Sequence, residues 1–311
     1  MESIEVLSLG ACLLRAPISE LVERNCVTEG AALQRGEARG YYYTLDEAIQ
    51  ALNFYRGVGQ VPKPLRMFCS LNPDWEGPAG GFEPYGKSDV ALVEINSPTR
   101  ISYGSYALSR ADISDQILSP LADMSEELHL IGNDWYYRGI GNCNEELRAA
   151  TAEKLAAAIP DDFPNAELAR SILLESRFHR REVKELIEGL ATVRDIVGAP
   201  LGVLTYTYTY MPDGRPMPWP PNLVEQTIEA ARMLDLPVFD PSRIVSRYGV
   251  KRALSDDTHY QVPFHPILAG ALFPFIHEVR ERGTRSSARS GNRWANRWRL
   301  TGRAGGARST G

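Results

Sequence analysis

No Cys-x-x-Cys pair occurs among the four cysteines, Cys12, Cys26, Cys69 and Cys143, so neither a zinc ribbon nor a disulfide scaffold is indicated. A reducing cytoplasm is the setting this implies. No basic segment followed by an apolar one opens the chain, which enters a strand pattern straight after Met1-Glu2-Ser3, and a signal peptide is not expected. Long hydrophobic runs are missing too. The longest, Val262 to Ile276, holds three prolines and a histidine and is shorter than a membrane span, so no membrane partner is expected. A phosphate-binding glycine loop is absent: Gly10-Ala11-Cys12-Leu13-Leu14-Arg15 has one glycine where a dinucleotide fingerprint needs three. The chain shows no internal repeat, no metal-ligand spacing and no signature of a cofactor.

Acidic residues are absent from 282–311, which carry eight arginines. The net charge of −5 therefore divides into a body of −13 over residues 1–281 and a basic tail. That tail is rich in Gly, Ser and Arg, with Trp294 and Trp298 as its only large apolar anchors, and is expected to be disordered. A lone basic tail is weak ground for nucleic-acid binding, and an appended terminus is the plainer reading.

What remains has ordinary globular composition, 43% hydrophobic and 23% charged, enough for one domain over 1–281. Strand and helix patterns alternate, which predicts an α/β domain with a mainly parallel sheet. Ile4–Leu9 reads as the first strand, and the nearly continuous apolar run 89–96 as a strand buried on both faces. Leu201–Tyr206 and the short Leu236–Phe239 follow. Thr44 reads as an N-cap ahead of acids at Asp46 and Glu47, with Ala48, Ala51, Leu52 and Tyr55 on one helical face. Residues 98–190 read as mainly helical, an inserted layer or lid. A final helix from about His265 to Arg280 closes the domain.

In such sheets ligands bind beyond the carboxyl ends of the strands. Cys12, Asn96, the segment Tyr206–Tyr210 and His259 belong there. In Ser255-Asp256-Asp257-Thr258-His259-Tyr260, Asp256 stands three residues before His259 and is spaced to hold its imidazole in one tautomer. Cys12, after a strand-ending glycine, is placed as a nucleophile.

This order of features resembles the SGNH/GDSL hydrolase-like superfamily over roughly residues 3–280. The resemblance implies a three-layer α/β/α sandwich of flavodoxin-like type, a nucleophile after the first strand, oxyanion donors on a glycine loop and on an Asn after a middle strand, and Asp-x-x-His near the end. Ala11-Cys12 replaces the usual Asp-Ser, which makes the chain similar to the cysteine variants of that fold, the GSCFA-type and capsule-biosynthesis proteins. Catalytic roles then fall to Cys12, Asp256 and His259, and oxyanion roles to Asn96 and Gly40. Asn133, in Gly132-Asn133-Asp134, competes with Asn96, but the run ending at Asn96 is the better central strand. In 205–221, Tyr208 and Trp219 suit a sugar or an acyl chain, and Arg215 a carboxylate or phosphate.

The implied chemistry is attack of a Cys12 thiolate on an ester or thioester carbonyl, with a small-molecule acyl or carbohydrate substrate and an acyl thioester as candidate donor. Each residue also has a plainer role: Cys12 as a small core hydrophobe, His259 as a loop residue capped by Asp256, Asn96 as a strand-end cap. A non-catalytic ligand-binding protein on the same fold is the alternative.

Overall fold

The computed structural model describes residues 3–30, 41–76, 88–207, 222–255 and 259–301, with side chains as far as Gly283. Five parallel strands, β1 (Ile4–Leu9), β2 (Val27–Glu29), β3 (Val90–Ile95), β7 (Leu201–Thr205) and β8 (Val238–Phe239), form the central sheet in the order β2-β1-β3-β7-β8. The registers Val6↔Val90, Val93↔Val203 and Val203↔Val238 lock them together. The parallel sheet is what the alternation of patterns predicts, and its order is the doubly wound, flavodoxin-like one that the resemblance implies.

Alternation along the strands sorts the two helical layers. Ile4, Val6, Val90, Leu92 and Leu204 face Leu14, Ile18 and Leu21 of helix α1 (Cys12–Glu23) and the apolar stripe of the long closing helix. Leu7, Leu9, Ala91, Val93, Ile95, Leu201 and Val203 face the opposite layer, formed by α2 (Leu45–Tyr55), α7 (Val183–Val197) and α8 (Asn222–Met233). The expected N-cap is present: Thr44 Oγ1 accepts from the Glu47 amide at 3.3 Å. Gly198 ends α7 in the left-handed region at φ +68°, where a side chain would be strained.

The insertion is not simply helical. Beyond β3 the chain forms an antiparallel sheet of β4 (Thr99–Tyr103), β5 (Tyr106–Leu108) and β6 (Arg177–Arg180), in the order β5-β4-β6. Helices α3 (Arg110–Ile113), α4 (Glu126–Asn133), α5 (Glu145–Ala158) and α6 (Ala166–Glu175) complete the insertion, with π-helical turns at Ser114–Leu118 and Asp134–Ile140. α5 and α6 bond the small sheet through Glu145, which accepts from the Phe178 amide, and Ser171, which meets the Tyr103 hydroxyl. Trp135, fully buried, meets Phe178 edge to face at 5.2 Å. The Arg181 amide donates to the Pro98 carbonyl at 2.8 Å and stitches the two ends of the insertion together. α7 therefore belongs to the main layer, and the insertion ends near residue 181 rather than 190.

Helix α9 (His265–Thr301) closes the fold, and the boundary expected at residue 281 falls inside it. Val262–Gly283 is long and apolar enough by composition to cross a membrane, with a mean hydropathy of 1.2, so length alone does not set it apart. Its apolar stripe, Leu268, Ala269, Leu272, Ile276 and Val279, is buried in the protein's own core. Gly202 permits that packing, since a β-carbon there would stand 2.7 Å from Val279 Cγ2.

Candidate active site

Cys12 is the first residue of α1, immediately beyond β1, and is half-buried. Asn96 follows β3, the strand beside β1, and is 5% exposed. The two residues thus sit at adjacent strand ends. The first turn of α1 has no cap from its own N-cap residue, Ala11. Glu94 supplies it from β3: Oε2 accepts from the Ala11 amide at 2.9 Å and from the Leu14 amide at 3.1 Å. The other oxygen, Oε1, accepts from Asn96 Nδ2 at 3.2 Å. A charged residue in a strand buried on both faces is costly unless bonded in this way. Burial lifts the Glu94 carboxyl to about 7, against the opposing bonds from Ala11, Asn96 and Leu14.

A second layer surrounds Asn96. Arg110, from α3, is buried and places Nη2 3.5 Å from Asn96 Oδ1. Its guanidinium lies over the Tyr43 ring at 4.8 Å and the Tyr136 ring at 5.9 Å, a cation–π arrangement. The Tyr43 carbonyl accepts from both the Asn96 and Ser97 amides, at 3.1 and 2.8 Å. Burial raises the Tyr43 phenol, which Arg110 opposes and the nearby Cys12, Tyr136 and Glu47 reinforce. Tyr136, in the second π-helical turn, is raised for the same leading reason. Glu47 accepts from the Tyr43 amide at 3.1 Å and from Thr44 Oγ1 at 2.9 Å, and burial pushes its carboxyl to about 8.

His259 is exposed, in a loop whose backbone folds on itself: its carbonyl accepts from the Ser255 amide at 3.0 Å, and Leu254 bridges Tyr260. Tyr260 is buried and its hydroxyl meets Thr207 Oγ1 at 2.8 Å, just past β7. This contact ties the His259 loop to the same end of the sheet as Cys12 and Asn96. Asp256, Gly40, Tyr208, Arg215 and Trp219 lie outside the described residues.

The rival asparagine, Asn133, ends α4 in the insertion and bonds His129 at 3.0 Å. Burial pushes the Cys69 thiol to about 12 and raises Cys143, which makes both poor nucleophiles at neutral pH. Cavities of 150 to 550 Å³ open elsewhere on the described surface, and none of the four is lined by Cys12, Asn96 or His259.

Sequence reasoning missed Glu94, Arg110, Tyr43 and Tyr136. Glu94 had a visible signal, being the one charged residue within Val90–Ile95. Arg110 had none, because its place depends on how the insertion folds back.

The TviD N-terminal domain family matches residues 4–275. The chain is 20% identical over 241 residues to the Vi polysaccharide biosynthesis protein TviD of Salmonella typhi, covering 75% of this chain. The match spans 27% of that relative, about a quarter of its length. No solved structure matches. Of the resemblance drawn from sequence, these matches support its capsule-biosynthesis part; the wider SGNH/GDSL grouping rests on motifs alone.

Proposed function

The chain belongs to the TviD N-terminal domain family, and on that premise we propose that it performs acyl-ester or acyl-thioester chemistry, on a carbohydrate, through a Cys12 acyl-enzyme. The observation carrying this reading is the placement of Cys12 and Asn96 at adjacent strand ends, where the Glu94 carboxyl accepts from Asn96 and from the Ala11 and Leu14 amides in the turn that carries Cys12. The polysaccharide-biosynthesis name of the relative supports a carbohydrate substrate.

In this mechanism His259 Nε2 takes the Cys12 thiol proton, and Asp256 accepts from Nδ1 and stabilises the imidazolium. The thiolate forms a C–S bond to the acyl carbon, and the carbonyl electrons move onto oxygen. The Cys12 N–H, Asn96 Nδ2 and Gly40 N–H hold that oxyanion, each donor worth about 3 kcal/mol in the transition state. Collapse breaks the bond to the alcohol or thiol leaving group, which receives the proton from His259. Water or a sugar hydroxyl, deprotonated by His259, then attacks the thioester and releases Cys12. Tyr208 and Trp219 are the proposed sugar-facing aromatics, with Arg215 for a carboxylate or phosphate.

One feature favours a non-catalytic ligand-binding module instead. An ionised Glu94 occupies the positive end of α1, which would otherwise stabilise a Cys12 thiolate. The two readings separate by intact mass after incubation with an activated acetyl ester or an acyl thioester. Acyl chemistry gives an adduct that maps to Cys12, vanishes in Cys12→Ala and forms far more slowly in His259→Ala. An adduct on another residue, or none together with slow alkylation of Cys12 at neutral pH, supports the binding module.

A further inference from the structure

We infer that Glu94 is a positioning residue that sets the Asn96 side-chain amide toward the reacting carbonyl while fixing the turn that carries Cys12. The inference rests on the acyl reading above. A side-chain amide has one acceptor oxygen and two N–H donors, and its neighbours dictate which way it points. Arg110 only donates, so Nη2 at 3.5 Å selects Oδ1. An ionised carboxylate only accepts, so Glu94 Oε1 at 3.2 Å selects one Nδ2–H. The second Nδ2–H is the one available to an oxyanion.

Protonation of Glu94 undoes this arrangement. Oε2 already accepts from the Ala11 and Leu14 amides, so an added proton resides on Oε1, facing Nδ2. Two donors then confront each other, and Asn96 must turn or withdraw. The groups around this carboxyl are Cys12 in the turn it caps, Arg110 through Asn96, and Tyr260, whose phenol feels the Glu94 charge. On the next turn of α1, Arg15 pairs with Glu29 at 3.4 Å, and Glu29 accepts from Ser8 of β1. Burial outweighs the bonds and brings Glu94 into the neutral range, where the carboxylate needed for this role is present only on the alkaline side.

Glu94→Gln separates the two duties in the full chain. The glutamine oxygen still accepts from Ala11 and Leu14, so α1 keeps its cap. Its NH2 stands opposite Asn96 and mis-sets the amide. The expected result is a ratio of Cys12 acetylation by an activated acetyl ester to Cys12 alkylation by iodoacetamide that is lower by about 10²-fold, in line with the loss of one oxyanion donor. Alkylation follows the thiolate, which loss of the Glu94 charge favours, and uses no oxyanion donor. The melting temperature stays close to wild type.

A readout independent of the reaction is the Asn96 side-chain NMR signal, identified by its loss in Asn96→Asp. It should titrate with a midpoint near 7 in wild type and not in Glu94→Gln. An unchanged ratio of acetylation to alkylation in Glu94→Gln, or an Asn96 signal that does not titrate in wild type, overturns the role of Glu94 and leaves Cys12 chemistry standing. Absence of any Cys12 adduct in wild type overturns the acyl reading instead, and the Asn96 titration then decides the Glu94–Asn96 coupling by itself.

Discussion

Gly10 and Glu94 stand so close that a β-carbon on the first would lie 2.7 Å from Cβ of the second and 2.9 Å from its Oε2. Leu14 Cδ2 would be 3.1 Å away on the other side. Glu94 Cβ is fixed to its strand and cannot swing clear, so the approach of β1 to β3 at this level requires glycine. Gly10→Ala is expected to destabilise the fold by about 1–3 kcal/mol, the usual range for overpacking. Urea unfolding measures this. A midpoint equal to wild type would mean that β3 yields easily, and that Glu94 is held less firmly than its three bonds imply.

Two buried acids give the fold a pH dependence of definite sign. In the unfolded chain Glu47 and Glu94 lose their protons near 4.5; in the folded protein they keep them to about 8 and about 7. Between these limits the folded state binds more protons, so stability falls as pH rises. The stabilisation is complete below about pH 4.5 and lost by about 8. Each acid contributes a slope of up to about 1.4 kcal/mol per pH unit within its own window. Glu47→Gln should flatten the curve of urea midpoint against pH between 5 and 8. A parallel curve, merely displaced, would show that Glu47 ionises in the folded protein as it does in water.

The central sheet is legible in the sequence because β1 and β3 are apolar runs whose burial on both faces needs no other information. The cap at Thr44 is legible for a local reason as well, since Thr44 and Glu47 satisfy each other within four residues. The small sheet of the insertion is hidden. β6 reads Arg-Phe-His-Arg with only Phe178 buried, and its strand character comes from pairing with β4, some eighty residues earlier. The start of α1 at Cys12 is obscured because its cap comes from Glu94 and because Pro17 interrupts the pattern. Arg110 reaches Asn96 only after the insertion has folded back on Tyr43 and Tyr136, a long-range event that no local spacing records.

Tyr260 joins the His259 loop to the end of β7. Burial raises its phenol, with the Thr207 bond opposing, so the group is neutral at physiological pH and shares a hydrogen bond with Thr207 Oγ1. Thr207 is 1% exposed, so deleting the Tyr260 hydroxyl leaves a buried partner behind at a cost of about 1–3 kcal/mol. Tyr260→Phe is therefore expected to lower the urea midpoint and, by loosening the loop next to His259, to slow acylation of Cys12. Thr207→Val removes the same bond from the other side and should reproduce both effects. The double variant should lose less than the two single losses added, because both delete one interaction. Additive losses in stability would show that the bond does not join the loop to β7, and an unaltered acylation rate in all three variants would detach the His259 loop from the chemistry proposed for Cys12.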